Sequence, residues 1–197
     1  MGVMITPQRI VVVGTTGSGK STLASKIAER LAMPFIELDA LHWAGNWTEV
    51  EPEVFRSRVD AMTAGESWVV AGNYSVVRDI TWPRADTIVW LNYPLVVSLW
   101  RLSRRSIRRS VTQENLWDTG NTESLRKQFM SWDSLFVWAF KSHWRRKRTY
   151  IAELVKPEHA HLHVIYLRFP WDATRWLDTL QIPQHLNEEI KQHQARV

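Results

Sequence analysis

The sequence predicts an α/β fold, a three-layer doubly wound arrangement around a parallel five-stranded sheet, and three observations carry that prediction. β-branched runs alternate with stretches of helical periodicity along most of the 197 residues. Each run is closed by turn formers, and the first leads through a glycine-rich loop straight into a helix. Right-handed crossovers between parallel strands then leave few other arrangements.

Ile10-Val11-Val12-Val13 is a continuous β-branched run ending in glycine, the pattern of a strand buried on both faces. From Lys20 to Leu31, Leu23, Ala24, Ile27, Ala28 and Leu31 recur at helical spacing before Pro34 breaks the pattern. Phe35 to Leu38 reads as a short second strand ending at Asp39. Glu51 to Ala64 reads as a helix with Val54, Phe55, Val59 and Met62 on one side. Trp68 to Ala71 and Thr87 to Leu91 supply strands three and four, closed by Gly72-Asn73 and Asn92-Tyr93-Pro94. A helix from Leu95 to Arg109 leads into a polar stretch. Ser124 to Leu154 carries a long aromatic-rich helical pattern, Val164 to Leu167 a fifth strand, and Asp172 to Leu180 a terminal helix. One domain over 1–197 is expected, with a lid at 108–124 and a polar tail at 184–197.

Composition excludes several classes. There is no cysteine, so disulfides, thiolate zinc sites and cysteine nucleophiles are ruled out. The N-terminal run lacks the features of a signal peptide, and no window approaches the roughly 20 apolar residues that span a bilayer, so a cytoplasmic protein without membrane partners is expected. Net charge is +5. Its excess is local, in Arg101, Arg104, Arg105, Arg108 and Arg109 and again in Lys141, Arg145, Arg146, Lys147 and Arg148, clusters that suit polyanions or form a solvated face. Twelve tryptophans point first to core and groove lining.

Gly14-Thr15-Thr16-Gly17-Ser18-Gly19-Lys20-Ser21 matches the P-loop pattern in full, with the preceding strand and following helix that the pattern requires. Its glycines let consecutive backbone N–H groups turn toward phosphate oxygens at a helix N-terminus. Lys20 is placed to neutralise β- and γ-phosphates, and the Ser21 hydroxyl to ligate Mg²⁺. In a doubly wound fold the loop, Asp39, Asn73 and Asn92 should ring one cleft beyond the strands' carboxyl ends. A carboxylate at Asp39 can accept the proton of an attacking hydroxyl, hold magnesium through water, or simply cap a turn. His42 and Trp43 can contact an acceptor or pack. Arg101 and Arg105 share a helix face, as do Arg104 and Arg108, and guanidinium forks suit a base and its phosphates. His159, His161 and His163 alternate, but at a strand's entry opposite the expected catalytic edge, which argues against a metal site.

The segments GTTGSGKST, LDALHW, WVVAGNYS and ADTIVWLNYP followed by RLSRR together resemble the FlaR-like group of adenylate-kinase-related P-loop proteins, over nearly the whole chain. The resemblance implies strand order 2-3-1-4-5 and an ATP- and Mg²⁺-dependent kinase of the nucleotide-kinase type acting on a small-molecule or nucleotide acceptor. It implies ATP binding by Gly14 to Thr22, phosphoryl-transfer roles for Lys20, Asp39 and Arg105, and the pair Arg101 and Arg105 over the adenine and the phosphates. Asp39, His42, Trp43, Asn73, Tyr74 and Arg78 would form the acceptor side. Ala71 departs from the pattern, since relatives place an acid there to orient magnesium waters. The alternative is a nucleotide-dependent regulator touching nucleic acid through the arginine clusters, which no recognisable reading module supports. Monomer and homodimer both stay open.

Overall fold

A computed structural model describes residues 7–112, 143–145 and 147–180. The strands β1 (Arg9–Gly14), β2 (Phe35–Glu37), β5 (Trp68–Ala71), β6 (Thr87–Leu91) and β7 (His163–Leu167) form one sheet in the order β2-β5-β1-β6-β7. Every pairing in it is parallel. Counted along the chain, that is the expected 2-3-1-4-5. β3 (Trp43–Ala44) and β4 (Thr48–Glu49) form a separate antiparallel hairpin, which the sequence reading did not anticipate.

Alternation along β1 divides the core in two. Ile10 and Val12 face α1 (Lys20–Leu31) and the terminal helix Pro170–Thr179, packing with Ala24, Ile27 and Ala173. Val11 and Val13 face the other way, with Phe55 and Val59 of α3 (Pro52–Met62), Trp82 of α4 (Arg78–Arg84) and Tyr150. These are the three layers expected.

Several boundaries and faces differ from the sequence reading for physical reasons. β2 stops at Glu37, and Leu38 to His42 form the short helix α2, so Asp39 sits on a helical turn rather than at a strand's end. On α3 only Phe55 and Val59 are buried; Val54 and Met62 are 44% and 47% exposed, because the helix rests on the sheet along a narrower stripe. The terminal helix begins earlier than expected, since Pro170 suits its first turn and the Asp172 carboxylate accepts the Phe169 N–H at 2.8 Å. α4 escaped notice because it is short and contains Pro83.

α5 spans Leu95–Thr112, so 108–112 of the expected lid continue that helix, while 113–124 lie outside the described residues. Residues 143–145 and 147–154 of the expected aromatic-rich stretch are helical; its remainder, with Lys141, Arg146 and the tail at 184–197, also lies outside. No helix among the described residues is long and apolar enough to cross a membrane.

The division of α3 predicts a contrast in stability. Phe55→Ala should cost about 3–5 kcal/mol, the range for emptying a large buried site, whereas Met62→Ala should stay within about 0.5 kcal/mol. Urea unfolding of the two variants checks this; equal losses would contradict the stripe.

Candidate active site

The P-loop is held from behind before it can hold anything in front. Asn73, just past β5, accepts the Gly14 N–H at its Oδ1 (3.2 Å) and donates its Nδ2 to the Gly14 carbonyl (2.5 Å). The Tyr150 hydroxyl donates to the same Oδ1 at 2.8 Å. On the opposite side the loop lies against α5. At Gly17, where φ is +81°, an added Cβ would fall 2.5 Å from the Ser98 carbonyl oxygen and 2.8 Å from the Leu102 Cβ. At Gly19, with φ +93°, it would fall 2.7 Å from an Arg101 guanidinium nitrogen. Both glycines are therefore required twice over, by left-handed backbone and by close approach. The Thr15 and Ser98 hydroxyls share a hydrogen bond of 3.1 Å.

In front of the loop opens a cavity of about 730 Å³, the size of a small-molecule site. From the P-loop it is lined by Thr16, Gly17, Gly19, Lys20, Ser21 and Thr22; from α5 by Trp100, Arg101, Arg104, Arg105 and Arg108; from the opposite wall by Asp39, Trp43, Gly72, Asn73 and Tyr74. Gly14, Thr15 and Ser18 do not line it, and they serve the loop's seating: Ser18 is buried, and the Thr15 carbonyl accepts from the Lys20 ammonium at 3.3 Å. Arg101 lines the cavity beside the P-loop, its guanidinium close against Gly19.

On the opposite wall Tyr74 donates its hydroxyl proton to Asp39 Oδ1 at 2.7 Å and is itself hydrogen-bonded to Trp43. Burial, the nearby Asp39 charge and this hydrogen bond push the phenol's pKa well above its ordinary value, so it stays a donor. Three expected acceptor residues behave otherwise. His42 does not line the cavity; its ring packs against Trp43, Phe55 and Tyr74, with centroids 4.6 to 5.0 Å away, so it is packing behind the wall. Asn73 lines the cavity, but its amide is spent on Gly14 and Tyr150. Arg78 is outside the lining: it lies 3.7 Å from Glu153 and over the Trp82 and Tyr150 rings. Asn92 also misses the cleft, its amide donating to the Tyr166 hydroxyl.

Glu37 is the residue the sequence reading missed. It sits at the end of β2, its carboxyl hydrogen-bonded to Ser21 and close to Lys20 and Asp39. Burial lifts its pKa to about 7, with the Asp39 charge adding to the rise and the Ser21 hydrogen bond and Lys20 opposing it. The signal was available: Glu37 is an acid two positions before Asp39, in the run read as the second strand. The donor set of Ser21 hydroxyl and Glu37 carboxylate is hard oxygen only, which fits Mg²⁺. Glu37 thus stands where charge is needed, in a chain whose Ala71 offers none. The triplet His159, His161 and His163 does not converge: His159 is buried on a 3₁₀ turn, while His161 and His163 are exposed.

A parallel sheet in this order with a seated P-loop facing a carboxylate defines a P-loop NTPase of the kinase type. The family model described as "ATPase family associated with various cellular activities (AAA)" matches residues 10–71, the span from β1 to β5. A shikimate kinase from Halorhodospira halophila (strain DSM 244 / SL1) is 33% identical over 126 residues, covering 56% of this chain and 70% of that protein. Among solved structures, shikimate kinase from Bacteroides thetaiotaomicron superposes with a TM-score of 0.51 at 19% identity, covering 94% of this chain and 99% of that one. A gluconokinase from Sinorhizobium meliloti 1021 gives 0.48 at 20% identity, covering 93% and 98%. The chain belongs to the shikimate kinase family of P-loop kinases and is an ATP-binding phosphotransferase.

The raised Glu37 pKa has a consequence for the ligand-free protein. A folded-state value above the unfolded one means the contribution of Glu37 to stability is full below about 4.5 and is lost as pH rises through about 7. Unfolding free energy measured in urea from pH 5 to 8 should therefore decline more steeply in the wild type than in Glu37→Gln; parallel profiles would contradict the assignment.

Proposed function

We propose that this chain moves the γ-phosphoryl group of ATP to a hydroxyl of a small acceptor, with the P-loop seating the donor and Asp39 acting as general base. The observation that carries this reading is the single cavity that joins Lys20 and Ser21 to Asp39, Trp43 and Tyr74. Tyr74 occupies Asp39 Oδ1 and leaves Oδ2 to take the acceptor proton. The acceptor oxygen then bonds to the γ-phosphorus, the bond from that phosphorus to the β–γ bridging oxygen breaks, and ADP leaves. Lys20, Arg101 and Arg105 stabilise charge on the transferring group, which is most of what phosphoryl transfer asks of a protein. Ser21 and Glu37 are the residues that would hold Mg²⁺, which supplies neutralisation of the phosphate charge. Trp100, 61% exposed within the cavity and with Arg104 over its ring at 5.7 Å, offers a flat face to the nucleobase.

The finer affiliation with the FlaR-like group, resting on the four quoted segments, is part of this proposal. The rival reading, a regulator binding nucleic acid, loses its main support where the first arginine cluster lies. Arg101, Arg104, Arg105 and Arg108 line the cavity in front of the P-loop.

Lys20→Ala should lower acceptor-dependent ADP formation by at least about a hundredfold. Asp39→Asn should lower kcat by about 10²–10⁴ with ATP affinity retained. Both are read by a coupled assay over an acceptor panel, with circular dichroism confirming the fold. ADP release by Lys20→Ala equal to wild type with every acceptor would sink the proposal. Trp100→Ala should weaken ATP binding while leaving inorganic tripolyphosphate binding unchanged in titration calorimetry. Equal losses for both ligands would remove Trp100 from the base site.

A further inference from the structure

We infer that the acceptor is a neutral polyhydroxylated molecule, of the sugar or polyol class, held by the face of Trp43 and the free oxygen of Asp39. The inference rests on the phosphoryl-transfer reading above and names the substrate class of that same site.

The polar groups on the acceptor wall are nearly all committed. Asn73 gives its amide to Gly14 and accepts from Tyr150. The Tyr74 hydroxyl is engaged with Asp39 and Trp43. Among the described side chains of this wall, Asp39 Oδ2 is left for a ligand, an acceptor-only group when ionised. It takes a hydrogen bond from a hydroxyl and repels a carboxylate or phosphate placed at the same spot.

Among the described residues, the arginines Arg56, Arg58 and Arg78 are committed elsewhere and do not line the cavity. Arg56 makes a two-pronged pair with the Asp79 carboxylate at 2.8 and 2.7 Å and also donates to the Val76 carbonyl. Arg58 donates to the Leu41 carbonyl at 3.1 Å. Arg78 lies between Glu153 and the Trp82 and Tyr150 rings. The cations that do line the cavity, among the described residues, come from the P-loop and α5, and Arg101 is fixed against Gly19. Under the phosphoryl-transfer reading these cations serve the triphosphate.

Trp43 completes the recognition surface. It opens the β3 hairpin, is partly buried, and is braced by the His42 and Trp47 rings at 5.0 and 5.8 Å, so the indole's orientation is set before a ligand arrives. A braced aromatic face beside the Asp39 carboxylate matches a ring or chain that is apolar along its C–H side and hydroxylated at its edge. Among the described residues, this wall offers an anionic acceptor no cationic side chain.

The test is ADP release by the full-length protein with three matched panels: neutral hexoses and polyols, hydroxy acids of similar skeleton, and nucleoside monophosphates. The inference predicts kcat/KM at least about tenfold higher for the best neutral polyol than for any anionic acceptor. Trp43→Ala should raise the polyol KM by about tenfold or more with the ATP KM unchanged, and Trp43→Phe should restore most of the loss. Equal or better turnover of hydroxy acids or nucleoside monophosphates overturns the inference and leaves the kinase reading standing. A polyol KM unmoved in a folded Trp43→Ala overturns it as well. No acceptor-dependent ADP above Lys20→Ala with any panel overturns both.

Discussion

The structure depends on three consecutive residues, Gly72, Asn73 and Tyr74, where the chain leaves β5. Gly72 has φ +151°, and a Cβ there would lie 2.7 Å from the Leu38 side chain, so only glycine lets α2 tuck against this strand end. Asn73 clasps both backbone polar groups of Gly14. Tyr74 fixes Asp39. Each hydrogen bond contributes about 0.5–1.5 kcal/mol net, modest as stability but decisive for placement, because the P-loop and Asp39 are tied to one turn.

Ala71, just before that turn, carries no acid. The carboxylate is supplied one strand over, at Glu37, which reaches the Ser21 hydroxyl from the end of β2. β2 pairs directly with β5, and Glu37 is in register with Ala71 itself. The negative charge has moved laterally by one strand while remaining beside the P-loop lysine. It lies two residues from Asp39, so the two acids share the β2–α2 junction. Burial keeps Glu37 poised near neutrality in the ligand-free site, where Lys20 is its nearest compensating charge.

Much of this was legible in sequence because local signals agreed with the global fold. β-branched runs ending in turn formers located all five sheet strands, and the glycine–lysine–serine loop located the donor site. Tyr74 and Asp39 face one cavity because each lies within a few residues of a strand end at the same sheet edge. What stayed hidden depended on side-chain partners distant in sequence. Nothing in the string says that Arg78 belongs to Glu153, or that the Asn73 amide is consumed by Gly14. The α3 face was read too wide, since periodicity alone cannot tell a buried Phe55 from an exposed Met62 on a helix edge. Glu37 was overlooked because an acid inside a short strand looks like an exposed position until the P-loop is laid beside it.

The central claim is that one cavity joins a phosphoryl donor to a hydroxyl acceptor. Phosphorus NMR of the protein incubated with ATP, Mg²⁺ and a mixture of hydroxylic acceptors tests it most directly. The account predicts a new phosphomonoester resonance growing in step with ADP and lost in Lys20→Ala. Growth of inorganic phosphate alone, with no phosphomonoester at any acceptor concentration, would contradict it.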